Sequence, residues 1–150
     1  MGRGKVFMAA VIGFMTLLVS SHVFAQADVI EQRQKLMKSN SEAAKAIKAA
    51  VEAKDYATVE AKARDIMGNE AKIFGLFPKG STTGKTKATA AIWDKSDDFA
   101  KASKALQSAA SELASAAKAK DDAAVTTKVK ALGEACGSCH KAFRAEKYAE

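Results

Sequence analysis

Residues 121–144 read DDAAVTTKVKALGEACGSCHKAFR. An acidic pair stands where a helix N-terminus favours it, and Val125, Val129, Leu132, Cys136, Cys139 and Phe143 follow at alternating four- and three-residue steps. The spacing predicts a helix from Asp121 or Asp122 to about Phe143. On it, Cys136, Cys139 and His140 stand at i, i+3 and i+4 and share one face. The chain has only these two cysteines. A Cys-x-x-Cys-His run is the signature of covalent c-type haem attachment, in which each thiol adds to a haem vinyl group and the imidazole reaches the iron. The competing readings fit less well. A thioredoxin-like redox pair belongs beside a βαβ pattern, which is absent, and a closed zinc site needs four ligands. A structural disulfide is the remaining alternative.

Outward from this segment the chain is built of helix formers. Alanine and lysine dominate, and Pro78 is the sole proline. A first helix is expected from about Asp28 to Lys54, with Val29, Arg33, Leu36, Met37, Asn40, Ala44, Ile47 and Val51 on one stripe. A second starts at Asp55 as N-cap, turns Val59, Ile66, Met67, Ile73 and Phe74 inward, and ends at Gly75 and Pro78. The stretch from Pro78 to Lys87, rich in Gly, Ser, Thr and Lys, is the one real loop. A third helix is expected from about Thr89 to Lys120, with Ile92, Trp93, Phe99, Leu106, Ala109, Leu113 and Ala117 as its apolar edge. No segment has the two-residue alternation of a strand. Short links make successive helices antiparallel, so the expected fold is all-α: an up-down-up-down four-helix bundle with a covalently bound haem. So few large core residues leave the haem to supply apolar bulk, and folding is expected to depend on it.

The other end of the chain gives the compartment. Arg3 and Lys5 precede an apolar run from Val6 to Val19, and Val23-Phe24-Ala25 offers a cleavage site. The run is shorter than the ~20 residues of a membrane span. Residues 1–25 are therefore expected to be a cleaved export signal and residues 26–150 the mature domain, periplasmic and free of the membrane. Export agrees with haem attachment, because bacterial c-type haems are fixed outside the cytoplasm. Cleavage removes His22, Met1, Met8 and Met15, leaving His140, Met37 and Met67. A bis-histidine haem is thereby excluded.

The formal net charge is +7, and loss of Arg3 and Lys5 lowers it by two. That surface could favour an acidic redox partner, or the lysines could simply solvate the outer helix faces. Sparse aromatics and the lack of a basic cluster speak against nucleic-acid binding.

Together these features resemble the cytochrome c prime family, the class II c-type cytochromes, in which a four-helix chain carries its haem motif at the C-terminal end. The segments that carry the resemblance are Gln32-Arg33-Gln34-Lys35-Leu36-Met37-Lys38, Leu76-Phe77-Pro78, Ile92-Trp93, and Cys136 through Arg144. The resemblance implies a single haem c near one end of the bundle, with helix one as the distal wall. It makes Cys136 and Cys139 the thioether positions and His140 the proximal ligand. Arg144 falls one turn after the histidine near the proximal face, and Arg33 matches an arginine associated with the haem propionates.

Met37 falls at the distal position, four residues after that arginine. In one branch of the family the side chain there only shields a five-coordinate iron, which binds nitric oxide or carbon monoxide. In the low-spin branch named cytochrome c-556, a methionine in a similar Lys-Leu-Met-Lys context binds the iron, and this chain resembles that branch more closely. Thioether ligation opposite His140 raises the potential and suits electron transfer; as a packing residue, Met37 would only fill a gap. Met67 lies on helix two and is expected in the core. The expectation is a non-enzymatic periplasmic one-electron carrier serving redox partner proteins, with gas binding as the alternative. Dimerisation through helices one and two is common in the family.

Overall fold

The computed structural model describes residues 9–147, with side chains from residue 27 onward. The expected export signal at residues 1–25 lies outside the residues whose side chains are described. Helix α1 runs Ala9–Glu52, α2 Tyr56–Ile73, α3 Ala91–Asp94, α4 Ser96–Lys118 and α5 Asp122–Phe143, with a 3-10 turn over Phe74–Leu76. No helix among the described residues is long and apolar enough to cross a membrane.

Two links fix the antiparallel course, and both use the same local chemistry. At the end of α1, Lys54 takes φ 55°, its N–H donates to Val51 O (3.1 Å), and the Asp55 N–H donates to Ala50 O (2.8 Å). At the end of α4, Lys120 takes φ 56°, with Lys120 N–H to Ala117 O (2.9 Å) and Asp121 N–H to Ala116 O (3.2 Å). Each is a Schellman turn closed by a left-handed lysine where glycine is usual. The next residue caps the following helix. Asp55 accepts from Thr58 N–H at 3.1 Å, and Asp121 accepts from Ala124 N–H at 3.0 Å. The two turns lie side by side, joined by Lys54 to Asp122 (2.8 Å) and Tyr56 to Asp122 (3.0 Å).

The four long helices form the antiparallel four-helix bundle. Helix α2 packs on both α1 and α4, and α5 packs on α4, whereas α1 and α5 touch sparingly. That last corner is where the bundle opens. The closed half is filled by Ile47, Val59, Ala63, Ile66, Leu106, Ala110, Leu113, Ala114, Ala117, Val125 and Leu132. Its alanines let the helices approach closely, while Met67 packs against this core, as expected.

Three expectations need correction. The third helix is broken: Lys95, with φ −125° and ψ 49°, separates the single turn α3 from α4. The break lets Trp93 Nε1 donate to Phe77 O at 3.0 Å, tying the turn to the loop. Phe74 does not point inward; it is 45% exposed and stacks its ring on Phe99 at 5.6 Å, because the helix has already tightened to 3-10 geometry there. On α1 the buried line is Ile30, Arg33, Ala43, Ile47 and Ala50. Val29, Ala44 and Val51 flank it half-buried, since a straight helix drifts relative to a strict heptad.

Candidate functional site

Arg33 organises the open end. It is 3% exposed, and every acceptor it reaches is uncharged. Nη1 donates to Ser81 Oγ (2.8 Å) and Leu76 O (3.2 Å), and Nη2 to Ser81 O (2.5 Å) and Thr86 Oγ1 (2.8 Å). The guanidinium also lies 4.6 Å from the centre of the Phe77 ring. Burial pulls its pKa below the ordinary arginine value, yet a guanidinium keeps its charge in a protein. Gly80 and Gly84, at φ 89° and 86°, bend the loop that delivers Ser81 and Thr86. Past the loop, Ala88 bridges Arg144 as an isolated antiparallel pair. Ala145 N–H donates to Lys87 O (2.7 Å) and Thr89 N–H to Phe143 O (3.1 Å). The chain beyond the cysteine motif is thus sewn to the loop that Arg33 holds.

Between α1 and α5 lies a cavity of about 510 Å³. From α1 it is lined by Arg33, Gln34, Met37, Lys38 and Ser41. From α5 and the residue after it come Cys139, His140, Phe143 and Arg144. Phe77, Ile92 and Phe99 form an apolar back wall, with Phe77 and Phe143 edge-on to Phe99 at 5.1 and 5.2 Å. The residues singled out in the sequence therefore converge on one cavity, with two exceptions. Cys136 is not part of the lining and packs half-buried against the closed-half core. Met67 is also absent from the lining and packs, partly buried, against that core, as expected.

The electrostatics of the motif are distinctive. Both cysteines are free thiols. Burial pushes Cys136 up and Cys139 up to about 11, with the Glu70 carboxylate adding to each shift. Redox-active thiols need depressed values, because the thiolate is the nucleophile. This pair therefore has the wrong bias for thioredoxin-like chemistry. His140, exposed at the cavity rim, is held below the usual imidazole value by partial desolvation and then by Arg144. A neutral imidazole is the metal-binding form.

The lining suits a haem. Its volume falls within the ~300–1,000 Å³ of cofactor and ligand sites. Its aromatic and aliphatic walls match a macrocycle. Its charged side chains are Arg33, Lys38, Lys87 and Arg144, with no carboxylate among them, which matches a group bearing two propionates.

Two features escaped the sequence reading. The acceptors of Arg33 lie some fifty residues away in a loop, so no local pattern announces them. Glu70, 4% exposed, sits on the buried line Val59, Ala63, Ile66, Glu70 and Ile73 of α2. A charged residue at a core step of a helical stripe was the available signal.

The family model described as Cytochrome C' matches residues 28–144. A cytochrome c' of Rhodospirillum rubrum is 34% identical over 147 residues, covering 95% of this chain and 99% of that protein. A cytochrome c-556 of Agrobacterium fabrum is 37% identical over 134 residues, covering 87% and 89%. In three dimensions the cytochrome c prime from Shewanella frigidimarina superposes with a TM-score of 0.75 at 28% identity, over 81% of this chain and 97% of that one. Fold, cavity lining and these similarities agree: the chain belongs to the cytochrome c prime family, whose members bind one covalent c-type haem.

Proposed function

We propose that the chain is an exported, periplasmic one-electron carrier. Cys136 and Cys139 tether the haem through thioethers, His140 is the proximal iron ligand and Met37 the distal one. The haem, when bound, supplies the reversible one-electron couple of its iron. The protein's residues do the rest. Phe77, Phe99 and Phe143 exclude water from one side of the cavity, and Arg33 meets the propionate charge while pinning the loop. Arg144 lies beside His140 and helps keep the ring neutral. With the sole mature histidine committed to iron, no acid–base set remains for an enzyme's chemistry. Redox partners are periplasmic proteins, and a homodimer is compatible with this role.

The observation that carries the reading is that Met37 of α1 and His140 of α5 line the same cavity. A thioether opposite an imidazole favours the ferrous state and raises the potential. A second reading rests on the comparable similarity to cytochrome c prime relatives: Met37 only packs, and the open distal position binds nitric oxide or carbon monoxide.

Absorption spectra decide between them. Under the first reading the oxidised protein is low-spin with the weak charge-transfer band of iron–methionine ligation. Met37→Ala then becomes high-spin and takes up carbon monoxide once reduced, while Met67→Ala leaves the spectrum alone. A wild-type protein that is already high-spin and binds carbon monoxide without displacing a ligand gives the second reading. Attachment is checked separately: haem retained through acid-acetone extraction, and a mass equal to residues 26–150 plus one haem.

A further inference from the structure

Glu70 is a buried carboxyl group that neither the bundle nor the cavity employs. From α2 it enters the interior where α4 contributes Ser103 and α5 contributes Cys136 and Cys139. Glu70 Oε2 and Ser103 Oγ are both buried, and neither finds a hydrogen-bond partner. No ion pair among the described residues includes Glu70. On α1, Ser39 and Asn40 are engaged by Asn69, at 3.1 and 2.8 Å. Leaving a buried carboxylate oxygen unpartnered, with no cation in an ion pair and Ser103 as the neighbouring hydroxyl, is costly, and it is relieved by protonation or by a positive charge nearby.

We propose that Glu70, with Ser103 beside it, is a buried proton-binding site linked to the oxidation state of the iron. The proposal rests on the attachment reading, because Cys136 and Cys139, the thiols that would hold the haem, are the groups Glu70 acts on in this interior. With haem held by these two cysteines, an electron delivered by a donor protein would remove one unit of positive charge from the neighbourhood of Glu70. The proton affinity of Glu70 rises, and the carboxylate takes one proton from solvent to become the neutral acid. Oxidation by the acceptor protein reverses both transfers, so one proton accompanies one electron at most. Ser103 Oγ is the neighbour positioned to accept from the neutral acid. The Cys136 and Cys139 sulfurs, once thioethers, do not titrate and leave Glu70 as the responding group on this side.

The sign follows from the two affinities. Between the carboxyl's value in the oxidised protein and its higher value in the reduced protein, the midpoint potential falls as pH rises. Outside that window it is flat.

The test is a redox titration of the holoprotein across pH, for wild type and Glu70→Gln, with proton uptake on reduction measured in weak buffer. Glu70→Gln is expected to lose the pH-dependent segment and the associated proton uptake while keeping its spectrum. Superimposable pH profiles for the two proteins overturn the proposal. Should the variant misfold, redox-difference infrared spectra of the wild type decide: a protonated-carboxyl band that grows on reduction and shifts in heavy water supports it, and its absence overturns it. Haem lost in acid-acetone overturns the attachment reading together with this one. Haem retained with an unchanged pH profile overturns this one alone.

Discussion

The two ends of the bundle are stabilised by different means. At the closed end, two Schellman turns with matching sequences, Ala53-Lys54-Asp55 and Ala119-Lys120-Asp121, lie side by side over a core of Ile, Leu, Val and Ala. Everything there is local or close-packed. At the open end, three phenylalanines surround Phe99. A buried arginine holds a loop through uncharged acceptors, and a cavity of about 510 Å³ separates α1 from α5. The closed end is complete as protein; the open end has the shape and charge of half a site. Stability that depends on the haem should therefore be concentrated at one end.

The largest expected effect follows directly. If the proposed attachment holds, replacing both Cys136 and Cys139 by Ala removes it, and with it the stabilisation that a tightly held ligand gives the native state. Hydrogen exchange is expected to rise strongly at residues 77–88 and in the last two turns of α5, while amides of α2 and α4 near Val59 and Leu113 stay protected. Uniform loss of protection over all helices would show that the ends do not differ.

Next comes a pair of core truncations. Leu113 is fully buried among alanines, so Leu113→Ala should cost about 2–5 kcal/mol in denaturant unfolding, with or without haem. Phe99→Ala at the open end falls in a range of about 3–5 kcal/mol for a filled core. Its cost should differ between holoprotein and haem-free protein, because Phe99 lines the cavity that a haem would fill. Equal losses for Phe99→Ala in the two forms would erase the distinction.

The contrast also explains what could be read from the sequence. The closed end was legible because its determinants are short-range. Asp55 and Asp121 cap helices three residues ahead, and Val59, Leu106, Leu113 and Val125 fall on helical stripes that the structure buries. The placing of Cys136, Cys139 and His140 on one helix was legible for the same reason. The break at Lys95 was not, because it is stabilised by Trp93 reaching Phe77, sixteen residues back. Phe74 carried the right chemistry for the core at a position where the helix had already changed pitch. Arg33 was assigned through the family resemblance, but the Ser81 and Thr86 acceptors that fix its position arise only from tertiary structure.

Acid and base should separate the ends further. At the closed end, hydrogen bonds from Thr58 lower Asp55, Lys54 and then Tyr56 lower Asp122, and Lys128 and then Ser108 lower Glu112. Such groups contribute stability above the ordinary carboxylate pKa, and that contribution is lost as pH falls through their folded values. Glu70, raised by burial with Ser103 opposing, works in the other direction. The folded state holds its proton after the unfolded chain has released it, so stability declines as pH climbs from the ordinary carboxylate value to the folded one. Glu70→Gln should flatten that decline and leave the acid limb unchanged in pH-dependent thermal melts. A change confined to the acid limb would reverse the assignment.

The smallest effect tests whether the closed end is as self-contained as its hydrogen bonds imply. Asp121→Ala removes an N-cap acceptor from α5 and should cost about 1 kcal/mol, without moving the haem spectrum, since the cap sits at the far end of the helix from His140. Lys120→Gly acts on the same turn with the opposite sign. A left-handed backbone costs a non-glycine residue about 1–2 kcal/mol, and glycine relieves that while adding disorder to the unfolded chain. The net gain should be a few tenths of a kcal/mol, read as a slightly higher melting temperature with an unchanged spectrum. Lys54→Gly is the sharper comparison. It relieves the same strain at φ 55° but gives up the 2.8 Å ion pair to Asp122. Because that pair is exposed and weak, the two glycine variants should melt within a degree or two of each other. A clearly lower melting temperature for Lys54→Gly would mean that the link between the twin turns, and not each turn alone, holds the closed end together.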